Sequence, residues 1–121
     1  MPRAEGPRAG YRSVTPRIVV CDVAAQVDFL RAVFDASGDV DPARPAEIRI
    51  GDSLIMVTSA ATRDLFPGFF YVYVDDADMS YQRALAAGAT TVEAPLDTPY
   101  GDRRAMVRDP FGNVFQIAHR L

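Results

Sequence analysis

Arg103, Arg104 and Arg108 lie close after a Tyr100-Gly101-Asp102 segment. Clustered guanidinium groups can receive an anionic ligand through paired hydrogen bonds, but on an acidic protein surface charge pairing explains them equally well. Asp75, Asp76 and Asp78 fill three of four consecutive positions. They lack the glycine and distal glutamate of an EF-hand, so charge at a helix N-terminus accounts for them better than calcium does. Cys21 falls on the same strand face as Arg17, and a nearby cation would lower a thiol pKa and make it nucleophilic. A small buried hydrophobe is the role favoured for it. His119 is the single histidine and reads as a surface strand end rather than a ligand. No G-x-S-x-G, P-loop or paired Cys or His motif occurs, which sets hydrolase chemistry low.

These residues need a scaffold, and the chain is long enough for one. It has 121 residues, 49% of them hydrophobic, a net charge of −3 and one cysteine. A chain of this size buries roughly two thirds of its unfolded surface, enough for one core and not for two independent domains. One thiol excludes an internal disulfide and a Cys-rich zinc site, and with no charged leader ahead of an apolar run a reducing cytoplasm is expected. No apolar run approaches the roughly 20 residues of a membrane span, and the slight acidity offers no footprint for nucleic acid.

Residues 1–14 carry Pro2, Gly6, Pro7 and Gly10 among arginines, without apolar period, and read as a flexible tail. The domain expected over 15–121 divides into two similar halves, 15–60 and 69–119. In the first, residues 15–21 (TPRIVVC) read as a strand. Asp22 then caps a helix on which Val23, Val27, Leu30, Val33 and Phe34 recur at helical spacing until Gly38. Strands over 46–50 and 53–59 follow, joined at Gly51-Asp52 in a tight hairpin. In the second half, FFYVYV at 69–74 is a strand and a helix runs up to Gly88. Strands over 90–93, 104–108 and 113–119 complete it, with a loop over 95–101 and a type I turn at Asp109-Pro110-Phe111-Gly112. FLRAVF at Phe29 and YQRALA at Tyr81 match in pattern.

Period-two alternation splits each strand into two faces. Ile18, Val20, Ile55, Val57, Phe70, Val72, Val74, Phe115 and Ile117 form a purely apolar face that must pack on the helices. The opposite face mixes aromatic and polar groups: Thr15, Arg17, Val19 and Cys21, then Met56, then Phe69, Tyr71 and Tyr73, then Gln116. It is either a half-wet sheet or the lining of a pocket, and three large aromatics on one strand favour the pocket.

TPRIVVCD opening the first half, IGDSLIMV in its hairpin and YGDRRAMVRDPFGNVFQIA closing the second resemble the vicinal oxygen chelate superfamily of glyoxalases, bleomycin-resistance proteins and extradiol dioxygenases. The resemblance covers residues 15–119. It implies an α+β fold of two tandem βαβββ modules, whose curled mixed sheets surround a cleft that a second subunit often completes. In the enzymes of this superfamily four strand residues hold a divalent metal, and the matching positions here are Thr15, Met56, Phe69 and Gln116. Of these only Gln116 offers a suitable donor, so no metal and no cofactor is expected.

The resulting expectation is a homodimer that binds a small flat organic ligand or antibiotic without a metal. Phe69, Tyr71, Met56 and Val19 serve as walls; Arg17, Gln116 and Thr15 serve as polar anchors. No catalytic residue is assigned. The alternatives are an enzyme of the same superfamily, either a metal-dependent lyase or dioxygenase with atypical ligands or a metal-independent isomerase, and a non-catalytic dimerisation module.

Overall fold

The computed structural model describes residues 5–61 and 64–121; the first four residues of the expected tail and two residues of the linker between the halves lie outside them. The first module runs β1 (Arg17–Val20), α1 (Val23–Phe34), β2 (Ala46–Ile50) and β3 (Ser53–Ser59). The second runs β4 (Phe69–Tyr73), α2 (Ala77–Ala86), β5 (Thr90–Asp97), β6 (Asp102–Arg108) and β7 (Val114–Arg120). Both sheets are mixed and open, in the orders β1-β3-β2 and β4-β7-β6-β5. Each module pairs its first and last strands in parallel.

The two modules repeat one plan unequally. After α2 three strands follow, whereas after α1 the corresponding strand shrinks to one bridge, Ser37 to Arg49. Gly38, Asp39, Asp41, Pro42 and Pro45 in this stretch disfavour extended pairing, and its prolines remove ladder donors. Strand β5, by contrast, runs past the expected boundary to Asp97. It is an edge strand, so Pro95 costs no ladder bond there, and register shifts mark the irregularity.

Both helices begin on the expected aspartates: Asp22 Oδ1 accepts from the Ala25 N–H at 3.0 Å and Asp76 Oδ1 from the Met79 N–H at 3.1 Å. Helix α1 stops at Asp35, which takes φ +55 and lets the Ala36 N–H reach Leu30 O, three residues before the glycine expected to end it. Gly51 takes φ +55 in the two-residue hairpin loop, where a side chain would be strained.

One core spans both modules. It joins Ile18, Val20, Val27, Leu30, Val33, Ile48 and Val57 to Tyr81, Ala84, Val107, Phe115 and Ile117. The helices pack on one another, and Phe29 and Phe34 of α1 bring their rings to 6.0 and 5.2 Å from that of Phe115 in β7. The apolar strand faces are thus committed to the helices, as alternation predicts, and the mixed faces point away from this core. None of the described helices is long and apolar enough to cross a membrane.

Residues 5–16 form no helix or strand. Arg8 lies over the Tyr11 ring, 5.5 Å from its centroid, and approaches Glu47 of β2 at 3.9 Å.

Candidate functional site

Strand register lays out the mixed face of the second sheet in rows. Phe69 is opposite Val114, Tyr71 opposite Gln116 and Tyr73 opposite Ala118. Across β6, Met106 is opposite Gln116, Arg104 opposite Ala118 and Asp102 opposite Arg120. Glu93 of β5 stands beside Met106. Three of the expected ligand contacts, Phe69, Tyr71 and Gln116, therefore share one surface. Phe69 is 66% exposed, Tyr71 38%, Tyr73 60% and Tyr100 61%, an aromatic surface left to solvent.

Beneath these rings runs a polar network that sequence reasoning missed. Tyr71 and Tyr73 both donate to Asp102 Oδ2, at 2.6 and 2.8 Å. Asp102 is only 4% exposed. The two phenols hold its carboxyl below the usual carboxylate range. Burial and the bond to Asp102 in turn push the Tyr71 hydroxyl far above its ordinary value, and the bond to Asp102, aided by burial, raises Tyr73. Tyr100 Oη lies 3.5 Å from Tyr71 Oη and accepts from Arg104 Nη1 at 3.3 Å. These contacts, that with Tyr71 foremost, lower its pKa. Arg104 also pairs with Glu93, and its buried Nε has no partner. Arg103 sits between Asp78 and Asp97, at 3.1 and 3.3 Å. Two of the three arginines considered as anion receptors are thus charge-paired, and Asp78 serves a pairing role beyond helix-end charge.

The remaining expected contacts lie on the first module. Arg17 and Met56 are register partners, and Arg17 Nη2 reaches Met56 Sδ at 3.2 Å. Val19 is 8% exposed and bridged by Phe66, so little of it is left to form a wall. Thr15 is half-buried just ahead of β1. The structure thus gathers the expected contacts into two groups, Thr15, Arg17, Val19 and Met56 on one sheet and Phe69, Tyr71 and Gln116 on the other. The modules meet through their helices, so these two faces do not lie against each other within the chain.

Two further expectations change. Cys21 is exposed, not a buried hydrophobe, because β1 ends at Val20 and the thiol lies past the last ladder residue. It lines a cavity of about 730 Å³ with Arg17, Asp22 and the 40–45 loop. The Nδ1 of His119 accepts the Ala77 N–H at 2.8 Å, which satisfies a donor at the start of α2. The ring is a helix-end acceptor and not a free strand terminus.

The superfamily's metal does not fit the residues at the matching positions. Met56 and Phe69 offer no hard donor, Thr15 only a neutral hydroxyl, and the Arg17 guanidinium occupies the space beside Met56 Sδ. Among the described residues no three His, Cys, Asp or Glu side chains converge.

Paired α+β modules with parallel first and last strands, helices packed on one another and outward strand faces are the architecture of a tandem repeat of one unit. The model of the Glyoxalase/Bleomycin resistance protein/Dioxygenase superfamily matches residues 12–117, and the chain belongs to that family. It is 34% identical over 123 residues to an uncharacterised protein of Mycobacterium bovis, covering 87% of this chain and 81% of the relative. Among solved structures it is similar to TioX from Micromonospora sp. ML1, with a TM-score of 0.70 and 25% identity over 90% of this chain and all of the other. A glyoxalase/bleomycin resistance protein/dioxygenase family enzyme from Burkholderia phytofirmans PsJN superposes with a TM-score of 0.74 and 25% identity, covering 87% of this chain and 95% of that one.

Proposed function

We propose that the protein binds a small flat aromatic compound, an antibiotic being one such candidate, without a metal, on the outer face of its second sheet. The observation that carries this reading is the aromatic surface of Phe69, Tyr71, Tyr73 and Tyr100, exposed over a buried polar network. Large rings held open to water on a rigid sheet suit stacking, and the hydroxyls and the Gln116 amide supply orientation. Sequestration of this kind needs no catalytic group, in keeping with a donor set unsuited to the superfamily's metal. In the same proposal a second copy brings its own first-module face, with Thr15, Arg17 and Met56, to complete the cleft as a homodimer.

The test is native mass spectrometry of the purified protein, followed by calorimetric titration of a panel of planar aromatic compounds. Binding at micromolar affinity that Phe69→Ala weakens about tenfold supports the reading. A panel without a binder, together with turnover of a glyoxalase or dioxygenase substrate, would replace it with the enzymatic alternative.

A further inference from the structure

The hydrogen-bond direction at Tyr71 and Tyr73 constrains what the exposed aromatic face can hold. An ionised carboxylate only accepts hydrogen bonds, and a phenol has a single proton. Both phenols have their short contacts to the same atom, Asp102 Oδ2, at 2.6 and 2.8 Å, which take their protons in preference to the longer 3.5 Å contact of Tyr71 with Tyr100 Oη. What each hydroxyl has left for a ligand is its lone pairs. A phenol that donates to a buried carboxylate also gains electron density in its ring, which strengthens the attraction of the ring face for a cation. The rings of Tyr71 and Tyr73 are neighbours, with centroids 5.3 Å apart and tilted by 57°, and both are exposed.

The arginines around the face are either paired or screened. Arg104 is neutralised by Glu93, and its unpartnered Nε is buried out of a ligand's reach. Arg120, opposite Asp102 in the ladder, and Arg108, opposite Val114 in the row of Phe69, are both exposed, where water and salt screen them. His119 has its Nδ1 engaged by the Ala77 N–H.

We propose that this face selects a flat aromatic cation carrying N–H donors, with the Tyr71 and Tyr73 hydroxyls accepting its hydrogen bonds and Asp102 setting their direction. This inference rests on the small-molecule reading above and narrows it to one charge class.

Two three-ring probes of similar size test it: proflavine, an amino-substituted cation, and anthracene-2-carboxylate, an anion. Both are titrated by calorimetry in about 0.5 M salt, which suppresses the general attraction of a cation to an acidic protein. Proflavine is expected to bind at least about tenfold more tightly. In Asp102→Asn the carboxamide can donate to the phenols and free their protons, and the preference should fall below about threefold. If that variant does not fold, as judged by circular dichroism, the Tyr71→Phe, Tyr73→Phe double variant removes the same acceptors and should show the same loss. Equal binding of the two probes, a preference for the carboxylate, or a preference unchanged in the variants overturns the charge assignment while leaving the binding reading in place. Binding of neither probe below millimolar concentration also overturns the charge assignment, and the panel titration then decides the binding reading by itself.

Discussion

Phe69 and Phe70 are adjacent in the chain and sit in opposite environments. Phe70 stacks on Phe115 with ring centroids 5.4 Å apart, while Phe69 is 66% exposed. Phe70→Ala should therefore lower stability by about 3 kcal/mol through a core cavity, and Phe69→Ala should change it by less than about 0.5 kcal/mol. Denaturant melts of the two variants check this, and the reverse order would invert the face assignment. Asp102 makes a pH prediction with a definite sign. Its folded pKa is depressed, so its contribution is present above the unfolded carboxylate value near 3.9 and is lost as pH falls through the folded value. Tyr71 and Tyr73 are raised, so theirs is complete below the unfolded phenol value near 10 and is lost as pH rises through the folded values. The triad should stabilise fully between about pH 4 and 10, and Asp102→Asn should flatten the acid limb of melting temperature against pH. The ultraviolet titration of the five tyrosines should be broad, with Tyr100 ionising early and Tyr71 and Tyr73 late.

At the scale of elements, the DPFGN segment does more than turn the chain between β6 and β7. The Asp109 carboxylate is 4% exposed and accepts the N–H groups of Phe111 and Asn113 at 2.9 Å. Its other oxygen accepts from Gln26 Nε2 of α1 at 3.0 Å, and Asn113 Nδ2 donates to Gln26 Oε1 at 2.8 Å. Asn113 Oδ1 then takes the Gly68 N–H at the start of β4, at 2.8 Å. This buried latch ties the helix of one module to the last hairpin of the other. Gln26→Ala would leave the buried Asp109 Oδ2 and Asn113 Nδ2 with only their long mutual contact of 3.4 Å, and should cost about 1 to 3 kcal/mol in chemical denaturation. An exposed helix residue such as Ala32, changed to Ser, should cost well under 1 kcal/mol in the same assay. Asp35→Gly should gain roughly 0.5 to 1 kcal/mol, because glycine adopts the left-handed conformation at the end of α1 without penalty.

For the whole molecule, the packing of helix against helix leaves both mixed strand faces pointing outward. A single chain then exposes Phe66, Phe69, Tyr73 and Tyr100, and pairing with a second copy would cover such a surface. Light scattering at micromolar concentration should give twice the 13.2 kDa chain mass, and a mass equal to one chain would refute the dimer. Elemental analysis should find no stoichiometric zinc, nickel, manganese or iron, and a chelator should leave the melting temperature unchanged, because the Thr15, Met56, Phe69 and Gln116 set cannot supply binding energy to the fold.

What was legible in the sequence is what depends on near neighbours. Alternation along Ile18 to Val20, Ile55 to Val57 and Phe115 to Ile117 marked the helix-facing side, since strand geometry is set locally. Asp22 and Asp76 announced both helix starts, since a cap acts within three residues. The same alternation put Phe69, Tyr71 and Gln116 on one face, and the strand register has them there. Beyond that reach the tertiary structure decided. Asp102 meets Tyr71 and Tyr73 across 31 and 29 residues, and Gln26 meets Asp109 across 83, pairings that no local period encodes. The same holds for the helix-to-helix packing of the modules, which separates Arg17 and Met56 from Tyr71. Burial of a charged or polar side chain is a property of the partners that satisfy it, and those partners come together only when the chain has folded.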